Sequence, residues 1–165
     1  MAIFYLAIAL LIVIIDQVIK YFVVAYLEPV GSVTAIPHIL DLVYQENNSG
    51  AMGIFRSFSF DMRWVLVILT SVVMAVLVVM LIKNAENSKL FSIALTLIIG
   101  GGIGNLIDRL FRGGAVVDYL LLSFFPYNCN FADYCITAGT IILIIYLLFY
   151  SDLKSDIKFK NKKNS

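Results

Sequence analysis

The stretch from Met1 to Leu27, MAIFYLAIALLIVIIDQVIKYFVVAYL, carries only two charged side chains, Asp16 and Lys20. A helix needs about 20 mainly apolar residues to cross a hydrocarbon core about 30 Å thick, so this stretch reads as a membrane span. It lacks a basic leader and runs on into a charged helical face instead of a small-residue cleavage site, so it is expected to stay as the first span. Three further runs of the same kind follow, from Trp64 to Ile82, Leu90 to Ile107 and Tyr134 to Ser151. Over the 165 residues, 61% are hydrophobic and 14% charged, and the mean hydropathy is +0.95. An ordinary soluble domain has about 25% charged residues, so a water-soluble globule is excluded. The expected fold is an all-α membrane protein of four transmembrane helices, with a small extracytoplasmic β-rich connection and an interfacial segment. A single integral membrane domain fills the chain, with spans at about residues 3–25, 64–82, 90–107 and 134–151.

Charge gives the orientation. Lys154, Lys158, Lys160, Lys162 and Lys163 follow the fourth run, and Lys83 and Lys89 lie between runs two and three. The other connections hold Arg56, Arg63, Arg109 and Arg112, fewer cations over more residues. By the positive-inside rule the Lys-rich side is cytoplasmic, which places both termini inside and makes 152–165 a cytoplasmic tail. Residues 28–63 and 108–133 are then external. In the first connection apolar and polar positions alternate from Ser32 to Tyr44 around Pro37, the pattern of short strands in a small sheet. In the second, Ala115 to Phe125 is apolar but too short to span, and is expected to lie along the interface. Trp64, Tyr26, Tyr119, Phe124, Phe125, Tyr127 and Tyr134 fall near span ends, as an aromatic belt requires.

A charge in hydrocarbon costs about 3 kcal/mol or more unless it is paired or wet, so the polar residues of the spans are the informative ones. Asp16 and Lys20 stand four apart on one helical face and can pair, either as a structural ion pair or as part of a site. Run three ends Gly100-Gly101-Gly102-Ile103-Gly104-Asn105-Leu106-Ile107-Asp108-Arg109. Gly100 and Gly104 form a small surface for close helix packing, and Asn105, Asp108 and Arg109 share a helical side at the outer end. Asp118 and Asp133 belong to the same external connection. Two carboxylates that approach closely cannot both ionise, so one holds a proton while the other can take one from water. Asp133 immediately precedes run four and could equally serve as its N-cap. The topology gathers Asp16, Lys20, Asn48, Asn105, Asp108, Arg109, Asp118, Asn130 and Asp133 at one outer face. One histidine, His38, excludes metal sites built on several imidazoles; its plain reading is a loop residue. Cys129 and Cys135 read as ordinary packed residues.

Five motifs in order resemble the lipoprotein signal peptidase (signal peptidase II) family: Asp16-Gln17-Val18-Ile19-Lys20, Asn48-Ser49-Gly50-Ala51, Gly104-Asn105-Leu106-Ile107-Asp108-Arg109, Val116-Val117-Asp118-Tyr119 and Asn130-Phe131-Ala132-Asp133. The resemblance implies a bacterial membrane aspartyl endopeptidase whose catalytic pair is Asp118 and Asp133. Asp16, Lys20, Asn48, Gly50, Asn105, Arg109, Asn130 and Ala132 would bind substrate or support the site, and Asp108 would order Arg109 or the span end. The implied substrate is a diacylglyceryl-modified prolipoprotein, cut N-terminal to its lipidated cysteine at the extracytoplasmic face of the cytoplasmic membrane. No cofactor or metal is implied. The expected partners are substrate and membrane lipids, with no nucleic acid and with a monomer as the working unit. Departures from the family pattern stand at Met52-Gly53, Cys129 and Gly102, beside the motifs and outside the pair. Three other readings compete: a small ion-coupled transporter or channel using Asp16, Lys20 and Arg109; a serine/lysine peptidase using Ser49 or Ser123 with Lys20; and a phosphatidyltransferase, for which the aspartates are too sparse.

Overall fold

A computed structural model describes residues 1–48 and 62–149. Gly50, Ser49, Arg56 and the tail 152–165 lie outside the described residues. Helix α1 (Ala2–Phe22) continues into a π-helical turn, Val23–Leu27. Strands β1 (Ser32–Ile36) and β2 (Leu40–Asn47) follow, then α2 (Met62–Asn84), α3 (Lys89–Phe111), β3 (Val116–Leu122) and α4 (Phe131–Phe149). Among the described residues, four helices are long and apolar enough to cross a membrane, Ala2–Leu27, Arg63–Asn84, Lys89–Phe111 and Phe131–Phe149. Many of their large apolar side chains face outward, Ile3, Phe4, Ile68, Leu69, Ile144 and Leu148 among them. In water that surface would drive aggregation; in lipid it costs nothing.

Helix α3 is the most deeply buried span, and its glycine run explains how. A Cβ on Gly100 would meet Ile12 of α1 at 2.8 Å, one on Gly101 would collide with the Ala132 carbonyl of α4, and one on Gly102 would collide with the Met74 thioether of α2. Gly104 returns to α1, where a Cβ would lie 2.6 Å from Asp16 Oδ2. The glycines therefore admit three different helices to one central one, of which the Gly100/Gly104 face is only a part. The end of the bundle away from the sheet is closed by Tyr5, Ala9, Leu81, Ala85, Phe91, Leu95 and Ile99.

The strands form one antiparallel sheet in the order β1-β2-β3. The alternation over Ser32–Tyr44 produced the first two strands, joined by a turn in which Ile39 N donates to Ile36 O and His38 takes φ 61°. The apolar stretch expected to lie along the interface is itself a strand, β3, paired with β2. Its first four residues, Val116 to Tyr119, are buried, so it carries no polar/apolar alternation, as befits a strand covered on both faces. Leu27, Val117 and Tyr119 pack together with Val23, Val24, Leu42 and Leu120, which seats the sheet on the C-terminal end of α1. Helix α4 begins three residues earlier than the apolar run, so Asp133 is inside its first turn instead of before it.

Candidate active site

The site assembles where α1, α3, β3 and the start of α4 converge. Lys20 is fully buried, and its ammonium lies 2.9 Å from Asp16 Oδ2 and 2.9 Å from Asp108 Oδ2. It donates a third bond, also 2.9 Å, to Asn105 Oδ1, so all three N–H bonds are used. Gln17 Nε2 ties the same carboxylates together, donating to Asp16 Oδ2, Asp108 Oδ1 and the Gly104 carbonyl. Buried charges persist only when paired and hydrogen-bonded, and here they are.

Each of these carboxylates also grips the main chain beside one member of the aspartate pair. Asp16 Oδ1 accepts from Ala132 N–H at 3.2 Å, next to Asp133. Asp108 Oδ2 accepts from Val117 N–H at 3.1 Å, next to Asp118. Asp108 therefore orders the start of β3, and its cationic neighbours are Lys20 and Arg112 (3.3 Å); it does not order Arg109 through a direct bond among those the structure shows. Arg109 instead donates through Nη1 to the Asn105 carbonyl, and its buried Nε has no hydrogen-bond partner among the described residues.

The motif Asn130-Phe131-Ala132-Asp133 is a capping box. Asp133 N–H donates to Asn130 Oδ1 at 3.0 Å, and Asn130 N–H donates back to Asp133 Oδ2 at 3.1 Å. The N-cap role weighed for Asp133 falls to Asn130, whose Nδ2 also donates to Asp118 Oδ1 at 2.6 Å and to Asn105 Oδ1 at 3.2 Å. Asn105 Nδ2 donates to Asp133 Oδ1 at 2.8 Å. Asn130 thus joins both aspartates, one through its side chain and one through its backbone. Burial, followed by the neighbouring Asp133, pushes the Asp118 carboxyl up to about 6, against the lowering effect of bonds from Asn47 and Asn130. Its neighbour Tyr119 accepts a bond from Phe131 N–H, and burial raises its phenol.

The other expected positions divide. Asn48 is exposed at the end of β2, whereas Asn47 turns inward and donates to Asp118 Oδ2 at 2.9 Å. Sequence reasoning missed Asn47, because successive strand residues face opposite sides and a motif alone does not fix which side is which. It also missed Gln17 and Arg112 as partners of the buried charges; the four-residue spacing of Arg112 from Asp108 was the available signal, whereas Gln17, adjacent to Asp16, offered none. Ala132 is fully buried where α4 meets Gly101. Ser123 lies just past the far end of β3, with its N–H on Ile39 O, and Lys20 Nζ is engaged by Asp16, Asp108 and Asn105, so this pair offers no serine/lysine route. Cys129 and Cys135 are free thiols. Burial and the carboxylates raise the Cys129 thiol, which keeps it protonated and unreactive beside the pair.

Asp118, Asp133, Asn105, Asn47 and Arg109 share the wall of one cavity of about 560 Å³, which continues between α2, α3 and α4 over Leu69, Val73, Met74, Ile98, Gly102 and Ile136. Its polar end can hold a peptide bond and a water, and its apolar end can hold aliphatic side chains. The fold and this cavity define a class, a four-span membrane protein whose buried carboxylate and amide groups converge on a cleft at one end of the bundle. The model of the Signal peptidase (SPase) II family matches residues 8–149. Curated relatives called lipoprotein signal peptidase include one from Caldanaerobacter subterraneus subsp. tengcongensis, 40% identical over 87% of this chain and 94% of its own length. Another, from Staphylococcus aureus, is 35% identical over 93% of each. A solved structure described as a bacterial membrane enzyme superposes with a TM-score of 0.76 at 35% identity, covering 89% of this chain and 94% of the other. The chain belongs to the signal peptidase II family and is a membrane peptidase. Membership in a peptidase family gives the transporter or channel reading no support. The charges that prompted that reading are spent on the Lys20 cluster and on the cavity wall.

Proposed function

We propose that the chain is an aspartic endopeptidase that removes the signal peptide from diacylglyceryl-modified prolipoproteins, cutting N-terminal to the lipidated cysteine, with Asp118 and Asp133 as the catalytic pair. The observation that carries this reading is that both carboxylates face one cavity and are joined by Asn130. Asp118, pushed up to about 6 in a buried strand, is the member suited to hold the shared proton. Asp133 takes a proton from water as the water oxygen bonds to the scissile carbonyl carbon, while the Asp118 proton passes to the carbonyl oxygen. As the C–N bond breaks, Asp133 returns its proton to the leaving amine and Asp118 recovers one from the hydroxyl. The pair ends as it began. Arg109 lines the cavity, its buried Nε has no hydrogen-bond partner among the described residues, and it is suited to hold a substrate carbonyl.

The apolar part of the cavity opens among membrane helices, so substrate acyl chains can stay in the bilayer while the cysteine end enters. The Lys distribution supports an extracytoplasmic site with both termini in the cytoplasm of a bacterial cell. The test is cleavage of a purified diacylglyceryl-modified lipobox precursor by the wild-type protein, Asp118→Asn and Asp133→Asn. Each substitution keeps shape and removes a titrating carboxylate; loss of about 10⁴-fold in each is expected. Substantial turnover by either variant refutes the pair.

A further inference from the structure

Resting on the peptidase reading above, the geometry points to Lys20 as a positioning residue that fixes which end of the Asn105 amide faces Asp133. An ammonium has donors and no acceptor, so the amide end 2.9 Å from Lys20 Nζ must be the oxygen. Once Oδ1 is held there, the NH₂ group is left facing Asp133 Oδ1, where it donates at 2.8 Å. Reversal of the amide would set NH₂ against NH₃⁺ on one side and two oxygens against each other on the other.

The second amide is set in the same way by a group that cannot reverse. The Asp133 backbone N–H claims Asn130 Oδ1, which leaves Nδ2 for Asp118 Oδ1 and Asn105 Oδ1. Donors therefore run in one sense, from Lys20 through Asn105 to Asp133 and from Asn130 to Asp118. The three N–H bonds of Lys20 end on Asp16, Asp108 and Asn105, and of these only the Asn105 amide in turn bonds a carboxylate of the pair; the Lys20 charge also acts on Asp118 through space. Among the described residues, the charged and titratable groups around the pair are Asp16 and Lys20 from α1, Asp108 and Arg109 from α3, Tyr119 from β3, Cys129 from the turn after it and Tyr134 from α4.

The test uses two variants in the precursor-cleavage assay. Removing Lys20 alone strands two buried carboxylates, so Lys20→Met is combined with Asp16→Asn, which deletes one charge of each sign. In the folded fraction, kcat should fall about 10²-fold with KM within about three-fold of wild type, and the acid limb of the pH profile should move up by about one unit. Asn105→Asp keeps an acceptor for Lys20 but turns an oxygen toward Asp133. It should show the same loss and the same shift, and it decides the matter alone if the double variant does not fold. A merely structural Lys20 would lower the folded fraction and leave the pH profile where it was. Wild-type kcat and limbs in Asn105→Asp overturn the proposal while leaving the peptidase reading intact. A wild-type protein that leaves the precursor uncut sinks the peptidase reading, and this proposal with it.

Discussion

Gly101→Ala is the perturbation that tests most directly whether helix packing sets the site. The added Cβ would collide with the Ala132 carbonyl oxygen and stand 2.9 Å from Ile136 Cγ1 and 3.2 Å from the Ala132 carbonyl carbon. Carbon atoms in ordinary contact are about 3.5–4.0 Å apart, so the first turn of α4 has to retreat from α3 by about 1 Å. The obstacle is largely backbone, so no side-chain rotation relieves it. That turn carries Asn130 and Asp133, while Asn105 stays on α3. Lengthening the 2.8 Å bond from Asn105 to Asp133 by that amount takes it past about 3.5 Å, where it ceases to be a hydrogen bond. Overpacking of this kind costs about 1–3 kcal/mol in stability. A 1 Å misplacement of catalytic groups costs about 10²-fold in rate, equivalent to about 2.7 kcal/mol in the barrier. The assay is kcat on a diacylglyceryl-modified lipobox precursor, with thermal unfolding in detergent measured alongside to confirm a folded sample. Gly102→Ala supplies the contrast, because the atoms it meets belong to the flexible end of Met74; its loss in kcat should be smaller. A folded Gly101→Ala protein with kcat within about three-fold of wild type refutes the claim that this contact holds the pair in place.

Two further outcomes follow from the site and its supports. Asp118 titrates near 3.8 when unfolded and is pushed up to about 6 in the fold, so the folded state holds its proton longer. Its contribution to stability is present below about pH 4 and is lost as pH rises toward 6, by up to about 3 kcal/mol. Unfolding midpoints should therefore fall between pH 4 and 7 by more in wild type than in Asp118→Asn, and parallel curves would contradict the assigned burial. Gly114 has φ +96°, and a Cβ there would run into the side-chain stem of Arg63. Gly114→Ala should cost about 1–3 kcal/mol, lower the melting temperature by several degrees, and reduce cleavage because β3 and Asp118 begin two and four residues further on. An unchanged melting temperature would show that the turn has room to adjust.

Hydropathy and charge determined the four spans, because each apolar run had to find lipid whatever its neighbours did. Alternation around Pro37 likewise set β1 and β2. The stretch from Ala115 to Phe125 was harder to read: both faces of β3 are covered, and that erases the alternation by which a strand is recognised. The ordered motifs named most of the polar residues that the structure brings together around Asp118 and Asp133. What the motifs left open was direction. That Asn47 instead of Asn48 meets Asp118 depends on sheet register, which β3 sets from 71 residues away. That Asn130 caps α4 and Asp133 reaches back to it depends on where the helix starts. The glycine run announced close packing, but only the bundle shows that successive glycines admit α1, α4 and α2 in turn. The sense of each amide depends on which partner can only donate, and those partners reach Asn105 from another helix. Composition and spacing fix the elements and their chemistry; contacts between residues far apart in the chain fix which atoms meet.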